Sequence, residues 1–315
     1  MKLPSLKEAF AAVEERLMAV VETDVLTLEE ASQHIISSGG KRVRPQLLLL
    51  SYAACGGTTP MQAVDLAAAV EMVHTATLVH DDINDHSDFR RGKMAVHKRW
   101  GRTFALLAGD FLFTKVYELM APYGNPFNVM MADACVKLVE GETLQAHAAK
   151  TGEIDRETYK KIIARKTASL FEVGARMGAA FAGATEATVE AFRQYGYNLG
   201  MAFQIVDDIL DVIGDPEALG KPVGLDVAQN RGVMVAEGGV AVMGGNGHTA
   251  VAELPDEDPV KRMMIRMRES GAIELARMQA IELAERAREA LSAVPASPAK
   301  EELLGLVDLV VDRTM

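Results

Sequence analysis

Apolar residues return every three or four positions along most of this chain, and β-branched residues rarely alternate with polar ones, so the pattern predicts helix throughout. Residues 5–22 and 27–38 read as helices, the second stopping at Gly39-Gly40, where glycine takes up the left-handed backbone that closes a helix. Pro45 opens the next, over 46–55. A long apolar helix covers 60–85, and two more cover 103–121 and 126–149, with Pro122-Tyr123-Gly124-Asn125-Pro126 as the turn between them. Periodicity resumes at 155–182, 186–214 and 258–292, and a last segment runs over 298–313. One stretch breaks the pattern. Gly232 to Pro255 holds Gly238-Gly239, Gly244-Gly245 and Gly247, which predicts a flexible loop over 230–255. The fold class expected is all-α, as a single domain over 1–315.

Composition agrees with helix: hydrophobic residues make up 49% of the 315 residues but aromatics only 5%. The formal net charge of −11 argues against a general nucleic-acid binder, which needs surplus Lys and Arg. An anionic substrate must then meet a local basic cluster or a bound cation. Cys55 and Cys135 provide neither a disulfide framework nor metal-ligand spacing, which suits a reducing cytoplasm. The first residues lead into an amphipathic pattern with Glu14, Glu15 and Arg16 rather than a secretory signal, and no run of about 18 uncharged apolar residues occurs. A soluble protein is expected.

Two aspartate clusters change the picture. Asp81-Asp82-Ile83-Asn84-Asp85 ends the long apolar helix. Positions four apart on a helix differ by only about 40°, so Asp81 and Asp85 share a face with Asp82 beside them. Three carboxylates so gathered raise one another's pKa values unless a divalent cation relieves the repulsion. Asp207-Asp208-Ile209-Leu210-Asp211 repeats the DDxxD spacing about 120 residues later, on a helix that also carries Phe203 and Gln204. Oxygen ligands from few residues, with positions open to phosphate oxygens, suit magnesium. A solvated helix face accounts for one such motif; two, both within apolar helices, favour metal binding.

Basic residues stand nearby in sequence. Gly40-Lys41-Arg42-Val43-Arg44-Pro45 places three cations at the start of a helix, either an anion site or a solvated charge run. Arg90-Arg91-Gly92 follows the first cluster, and Lys166-Thr167 and Lys221 are further single cations that read equally well as surface residues. His74 lies two turns before Asp81 on a similar face and reads, taken alone, as a core histidine.

With these pieces the chain resembles the trans-isoprenyl diphosphate synthases, or polyprenyl synthetases, over essentially its whole length. The resemblance rests on GGKRVRP at 39–45, EMVHTATLVHDDIND at 71–85, RRG at 90–92, Gly109-Asp110, KTASLF at 166–171, FQIVDDILD at 203–211, GKPVGLD at 220–226 and a DLVVDR ending. It implies an antiparallel helical bundle around a central active-site cavity, usually a homodimer. It further implies that Asp81, Asp82 and Asp85, with Asp207, Asp208 and Asp211, bind three magnesium ions that bridge an allylic diphosphate. Arg90, Lys166, Thr167, Gln204 and Lys221 would contact that diphosphate, and Lys41, Arg44, His74 and Arg91 would hold isopentenyl diphosphate. The diphosphate departs, an allylic cation develops, and the double bond of isopentenyl diphosphate attacks it. No Ser/His/Asp arrangement is needed. After GKPVGLD the chain departs from the family's Gly-Lys-x-Thr-x-Pro stretch, with Asn230-Arg231-Gly232-Val233-Met234-Val235 in its place. Arg231 restores the charge of the lysine, but Val233 lacks the hydroxyl.

Product length should be read upstream of Asp81. Ala76 stands five positions before it, about 7.5 Å along the helix, where family members that stop at fifteen or twenty carbons often place an aromatic. Val73, Met72, Ala69 and Ala68 continue the stretch without one, and Phe104, Phe111 and Phe113 are candidates for a floor. A product of thirty carbons or more is expected, insoluble enough to imply transient membrane contact. The alternatives are a geranylgeranyl or farnesyl diphosphate synthase, a terpene cyclase, which would lack the second DDxxD, and a non-catalytic regulatory subunit, which commonly loses one cluster.

Overall fold

The structure is a computed structural model and describes residues 3–151, 155–213 and 269–312. The predicted loop over 230–255, the start of the helix expected from 258, and Lys221 lie outside the described residues. By internal contacts the chain divides into two compact, discontinuous units: residues 1–135, 170–196 and 290–305, and residues 136–169, 197–289 and 306–315.

In the first unit, α1 (Leu3–Val20), α2 (Leu26–Ile36) and α3 (Val43–Ala54) surround α4 (Val64–Asn84), which a short 3-10 turn at Pro60–Ala63 introduces. Helix α4 is buried nearly all round, including Leu66, Ala67, Ala68, Ala69, Val70, Met72, Val73 and Ala76, because its sequence has no polar stripe before the aspartates. It packs against α1, α3 and α6 (Arg102–Met120). A two-stranded hairpin, β1 (Phe89–Arg90) with β2 (Lys93–Met94), and a short helix α5 (Val96–Trp100) join α4 to α6, and the hydrophobic pattern foresaw neither. Helix α3 begins at Val43, two residues before Pro45, which occupies its first turn.

Helices α7 (Asn125–Thr151), α9 (Ser169–Phe181) and α10 (Glu186–Ile213) each begin in one unit and finish in, or border, the other. In the first unit, Tyr52, Tyr123 and Phe127 close around Phe181 with ring centroids 5.4–5.7 Å away. Fully buried Tyr195 on α10 donates to the Leu303 carbonyl at 2.6 Å, on the last helix, α12 (Pro298–Val311). The second unit holds α8 (Arg156–Ile163) and α11 (Ala272–Ala290), whose inner face is the small-residue row Ala272, Ala276, Ala280, Ala284 and Ala287. The predicted helix over 155–182 is continuous except that Ala164–Ala168 is a π-turn between α8 and α9. Among the described residues the protein is all-α apart from the one hairpin, and no helix is long and apolar enough to cross a membrane.

Candidate active site

The end of α4 carries the first aspartate cluster. Asp82 is fully buried, and its Oδ1 accepts from Arg90 Nε at 2.9 Å and Nη2 at 2.5 Å. Burial pushes the Asp82 carboxyl above its ordinary value; Arg90 pulls the other way, and Asp81 and Asp85 add to the rise. Asp81 and Asp85 themselves are half-buried. The Gly109-Asp110 pair lies opposite: a Cβ at Gly109 would fall 2.2 Å from His80 Nε2, so glycine lets α6 meet the ring that precedes the cluster.

The hairpin places the next two cations. Arg91 and Gly92 form its two-residue turn, both with positive φ (51° and 77°), as the twist of a tight hairpin demands. Arg90 thereby turns to Asp82, while the Arg91 guanidinium donates to the Gly39 carbonyl and lies against Gly40, where a Cβ would sit 2.6 Å from Nη1. This joins the RRG segment to the GGKRVRP turn, 52 residues apart in sequence.

Within that turn the three cations differ. Arg42, left-handed at φ 48°, is an anchor: it bonds Glu14 Oε1 at 2.5 Å, Glu71 Oε1 at 3.0 Å and the Ile36 carbonyl at 2.9 Å. Glu71 is buried, so Arg42 is the counter-ion that permits it there. Arg44 projects over the Phe171 ring, Cζ 4.9 Å from the centroid, while Lys41 is exposed. Burial, then the charges of Arg44, Arg91, Arg90 and Arg42, hold the His74 imidazole well below its ordinary pKa, so it is neutral at pH 7. Arg42, Arg44, His74, Arg90 and Arg91 therefore belong to one electropositive corner of the first unit, with Glu71 within reach of Arg91.

The second unit holds the other cluster. The π-turn carries Lys166 and Thr167, and such turns re-aim side chains within a helix. Lys166 Nζ donates to Glu142 Oε2 at 2.9 Å and Gln145 Oε1 at 2.7 Å, both on α7. Gly141 allows the approach: a Cβ there would lie 2.5 Å from the Lys166 backbone nitrogen. Thr167 Oγ1 donates to Gln204 Oε1 at 2.6 Å, Gln204 Nε2 donates to Asp208 Oδ1 at 2.9 Å, and Tyr159 Oη donates to Asp208 Oδ2 at 2.5 Å. Asp208 and Asp211 are buried and Asp207 is half-buried.

These carboxylates fit a hard divalent cation. Every donor is oxygen, and Asp82 Oδ2 is buried with no hydrogen-bond partner. Among the described residues no three acidic, His or Cys groups close into a ready-made metal cage. Sequence reasoning passed over Tyr159, Glu142, Gln145, Glu71 and Phe171. A signal existed for one of them: Tyr159 stands seven residues before Lys166, two helical turns along the same face.

The model of the polyprenyl synthetase family matches residues 25–237. The short chain isoprenyl diphosphate synthase of Methanothermobacter thermautotrophicus is 37% identical over 91% of this chain and 90% of its own. The octaprenyl diphosphate synthase of Escherichia coli is 33% identical over 96% of this chain and 95% of its own. A solved structure, polyprenyl synthase from Caulobacter crescentus complexed with calcium and isoprenyl diphosphate, superposes with a TM-score of 0.88 at 34% identity, covering 98% of this chain and 96% of that one. The chain therefore belongs to the polyprenyl synthetase family and is a trans-prenyl diphosphate synthase.

Proposed function

We propose that this enzyme is magnesium-dependent and makes a long-chain trans-polyprenyl diphosphate, of thirty carbons or more, from isopentenyl diphosphate and an allylic diphosphate. The observation that carries the length is α4 upstream of Asp81. Ala76 and Met72, five and nine positions before it, are fully buried, and Val73, Ala69 and Ala68 continue the stretch with no aromatic side chain to stop a growing hydrocarbon.

In this reading Asp81, Asp82, Asp85, Asp207, Asp208 and Asp211 hold magnesium, three ions in all, which would stabilise the allylic diphosphate as it leaves. Arg90, Lys166, Thr167, Gln204 and Lys221 bind that diphosphate, while Lys41, Arg44, Arg91 and neutral His74 hold isopentenyl diphosphate. Arg90 then has two partners: Asp82 in this structure and the diphosphate in the working enzyme. The whole chain acts as one catalytic domain in the cytoplasm, touching membrane only transiently as product leaves. It works as a homodimer, since Phe104, Leu106, Leu107 and Tyr117 are exposed along α6, whose later turns line, with α7, a groove of about 360 Å³ that includes Phe113, Val116, Tyr117, Val129 and Met131.

A second reading, a synthase that stops at fifteen or twenty carbons, is favoured by the name of the Methanothermobacter relative. Chain-length analysis of products from labelled isopentenyl diphosphate and farnesyl diphosphate, with magnesium, separates the two. Products of thirty carbons or more that shorten in Ala76→Phe and vanish in Asp81→Ala support the first reading; wild-type product ending at twenty carbons refutes it.

A further inference from the structure

In the second cluster, both carboxylate oxygens of Asp208 are met by neutral donors. Gln204 lies one helical turn before it on α10, and its amide must point nitrogen toward the carboxylate. The Thr167 hydroxyl enforces that polarity by donating to the amide oxygen, because a flipped amide would set oxygen against carboxylate and nitrogen against a hydroxyl donor. The other side belongs to Tyr159. Its hydroxyl reaches Oδ2 at 2.5 Å, within the range of a charge-assisted O–H···O⁻ bond. The ring that carries this hydroxyl is held in its own apolar cluster, packed with Leu144 against buried Ala148 of α7 and Ile162 of α8. Forty-nine residues separate the phenol from the carboxylate, so the contact joins α8 to α10 through the tertiary fold and not through local sequence.

Packing alone gives no reason for a hydroxyl here, since phenylalanine fills an apolar cluster equally well. A ligating carboxylate gives one. Partners behind a ligand fix its orientation, and their loss typically costs about 10- to 100-fold in metal affinity. A carboxylate offers about four acceptor positions, so two donors do not oppose ligation.

We propose that Tyr159 is a positioning residue of the second aspartate cluster: its hydroxyl, opposite Gln204, fixes the Asp208 carboxylate in the orientation in which it takes a divalent cation. This rests on the magnesium reading above. Tyr159 touches neither substrate nor reacting atoms and acts through Asp208.

The test measures Mn²⁺ binding by electron paramagnetic resonance, with inorganic diphosphate present, in the wild type, Tyr159→Phe, Tyr159→Leu and Asp208→Asn. Tyr159→Phe keeps the ring and removes only the hydroxyl, so its melting temperature should stay near the wild-type value. Its Mn²⁺ affinity should fall about 10-fold or more, and the magnesium concentration for half-maximal turnover should rise in parallel, with kcat recovering at high magnesium. Tyr159→Leu should lose affinity to a similar extent. If Tyr159→Phe binds Mn²⁺ as the wild type does while Asp208→Asn binds it weakly, the inference about Tyr159 is overturned and the metal reading stands. Weak binding in Tyr159→Leu but not in Tyr159→Phe assigns the effect to the ring and also overturns it. Equal binding by wild type and Asp208→Asn removes the metal reading itself.

Discussion

Replacing Gly141 with alanine sets two effects of known size against each other. At an open helical position, Gly→Ala stabilises by about 1 kcal/mol, because alanine loses less backbone freedom. Gly305 on α12 is such a position, with nothing within 4 Å of a built Cβ. At Gly141 the new carbon would lie 2.5 Å from the Lys166 nitrogen and 3.0 Å from both the carbonyl carbon and Cβ of Arg165. Carbon contacts relax at about 3.5–4.0 Å, so α7 and the π-turn must separate by about 1 Å. Overpacking of this kind costs about 1–3 kcal/mol, and the obstructing atom is backbone, which cannot swing aside as a side-chain tip does. The strain therefore cancels or exceeds the helix gain, leaving Gly141→Ala about 1–3 kcal/mol less stable than Gly305→Ala. The larger consequence is chemical. Lys166 is held at 2.9 Å by Glu142 and at 2.7 Å by Gln145, and a shift of about 1 Å breaks both bonds and misplaces the ammonium, a displacement worth about 100-fold in kcat/KM. Urea denaturation of both variants, with steady-state turnover of labelled isopentenyl diphosphate, checks the argument. A Gly141→Ala enzyme as stable as Gly305→Ala and as active as the wild type would show that the close approach at Lys166 is not a constraint.

Other outcomes follow from the charges. Burial outweighs Arg90 at Asp82, so the ionised carboxylate works against folding: the protonated carboxyl favours the folded state below the unfolded pKa, and that contribution is lost as pH rises through the raised one. Asp82→Asn should accordingly melt no lower than the wild type at pH 7 while losing about 10- to 100-fold in activity; a large drop in melting temperature would refute this. The His74 pKa is depressed, so its contribution is complete above pH 6.5 and declines as pH falls below that value. Between pH 7 and 5.5 the wild type should lose stability relative to His74→Gln by up to about 1.4 kcal/mol per pH unit below 6.5, and parallel pH curves from urea melts would rule the effect out. Leu107 is 49% exposed on the apolar face of α6, and Leu107→Glu should convert a sedimenting dimer to monomer; an unchanged sedimentation coefficient would place the interface elsewhere.

Much of this was legible because it is local. The near-continuous apolar run of α4 implies burial, and DDxxD fixes which carboxylates share a face, so both clusters fall on helices as their spacing predicts. What escaped depends on partners far apart in the chain. Arg42 reads like Lys41 and Arg44 in sequence, yet Glu71, 29 residues on, makes it an anchor. Phe171 in KTASLF looks like core until Arg44 is seen over its ring. The π-turn at Ala164–Ala168 went unread because it spans only five residues, too few for hydrophobic periodicity to separate a wider turn from the α-helix on either side. The Arg91-Gly92 hairpin was hidden for another reason: its strands are two residues each, too short to alternate.

Helix α4 carries Met72, His74, Ala76 and the Asp81–Asp85 cluster on one unbroken rod. Their separations are thus fixed by the helical rise, with His74 about 10.5 Å and Ala76 about 7.5 Å from Asp81 along the axis. Substitutions can retune this rod side chain by side chain. A single inserted residue would instead turn everything upstream by about 100° and lengthen it by about 1.5 Å, driving a helix without a solvent-facing stripe out of register with α1, α3 and α6 at once. Divergence along this segment is therefore confined to changes of residue at constant length, a frozen reading frame inside a chain whose connecting segments are free to grow or shrink.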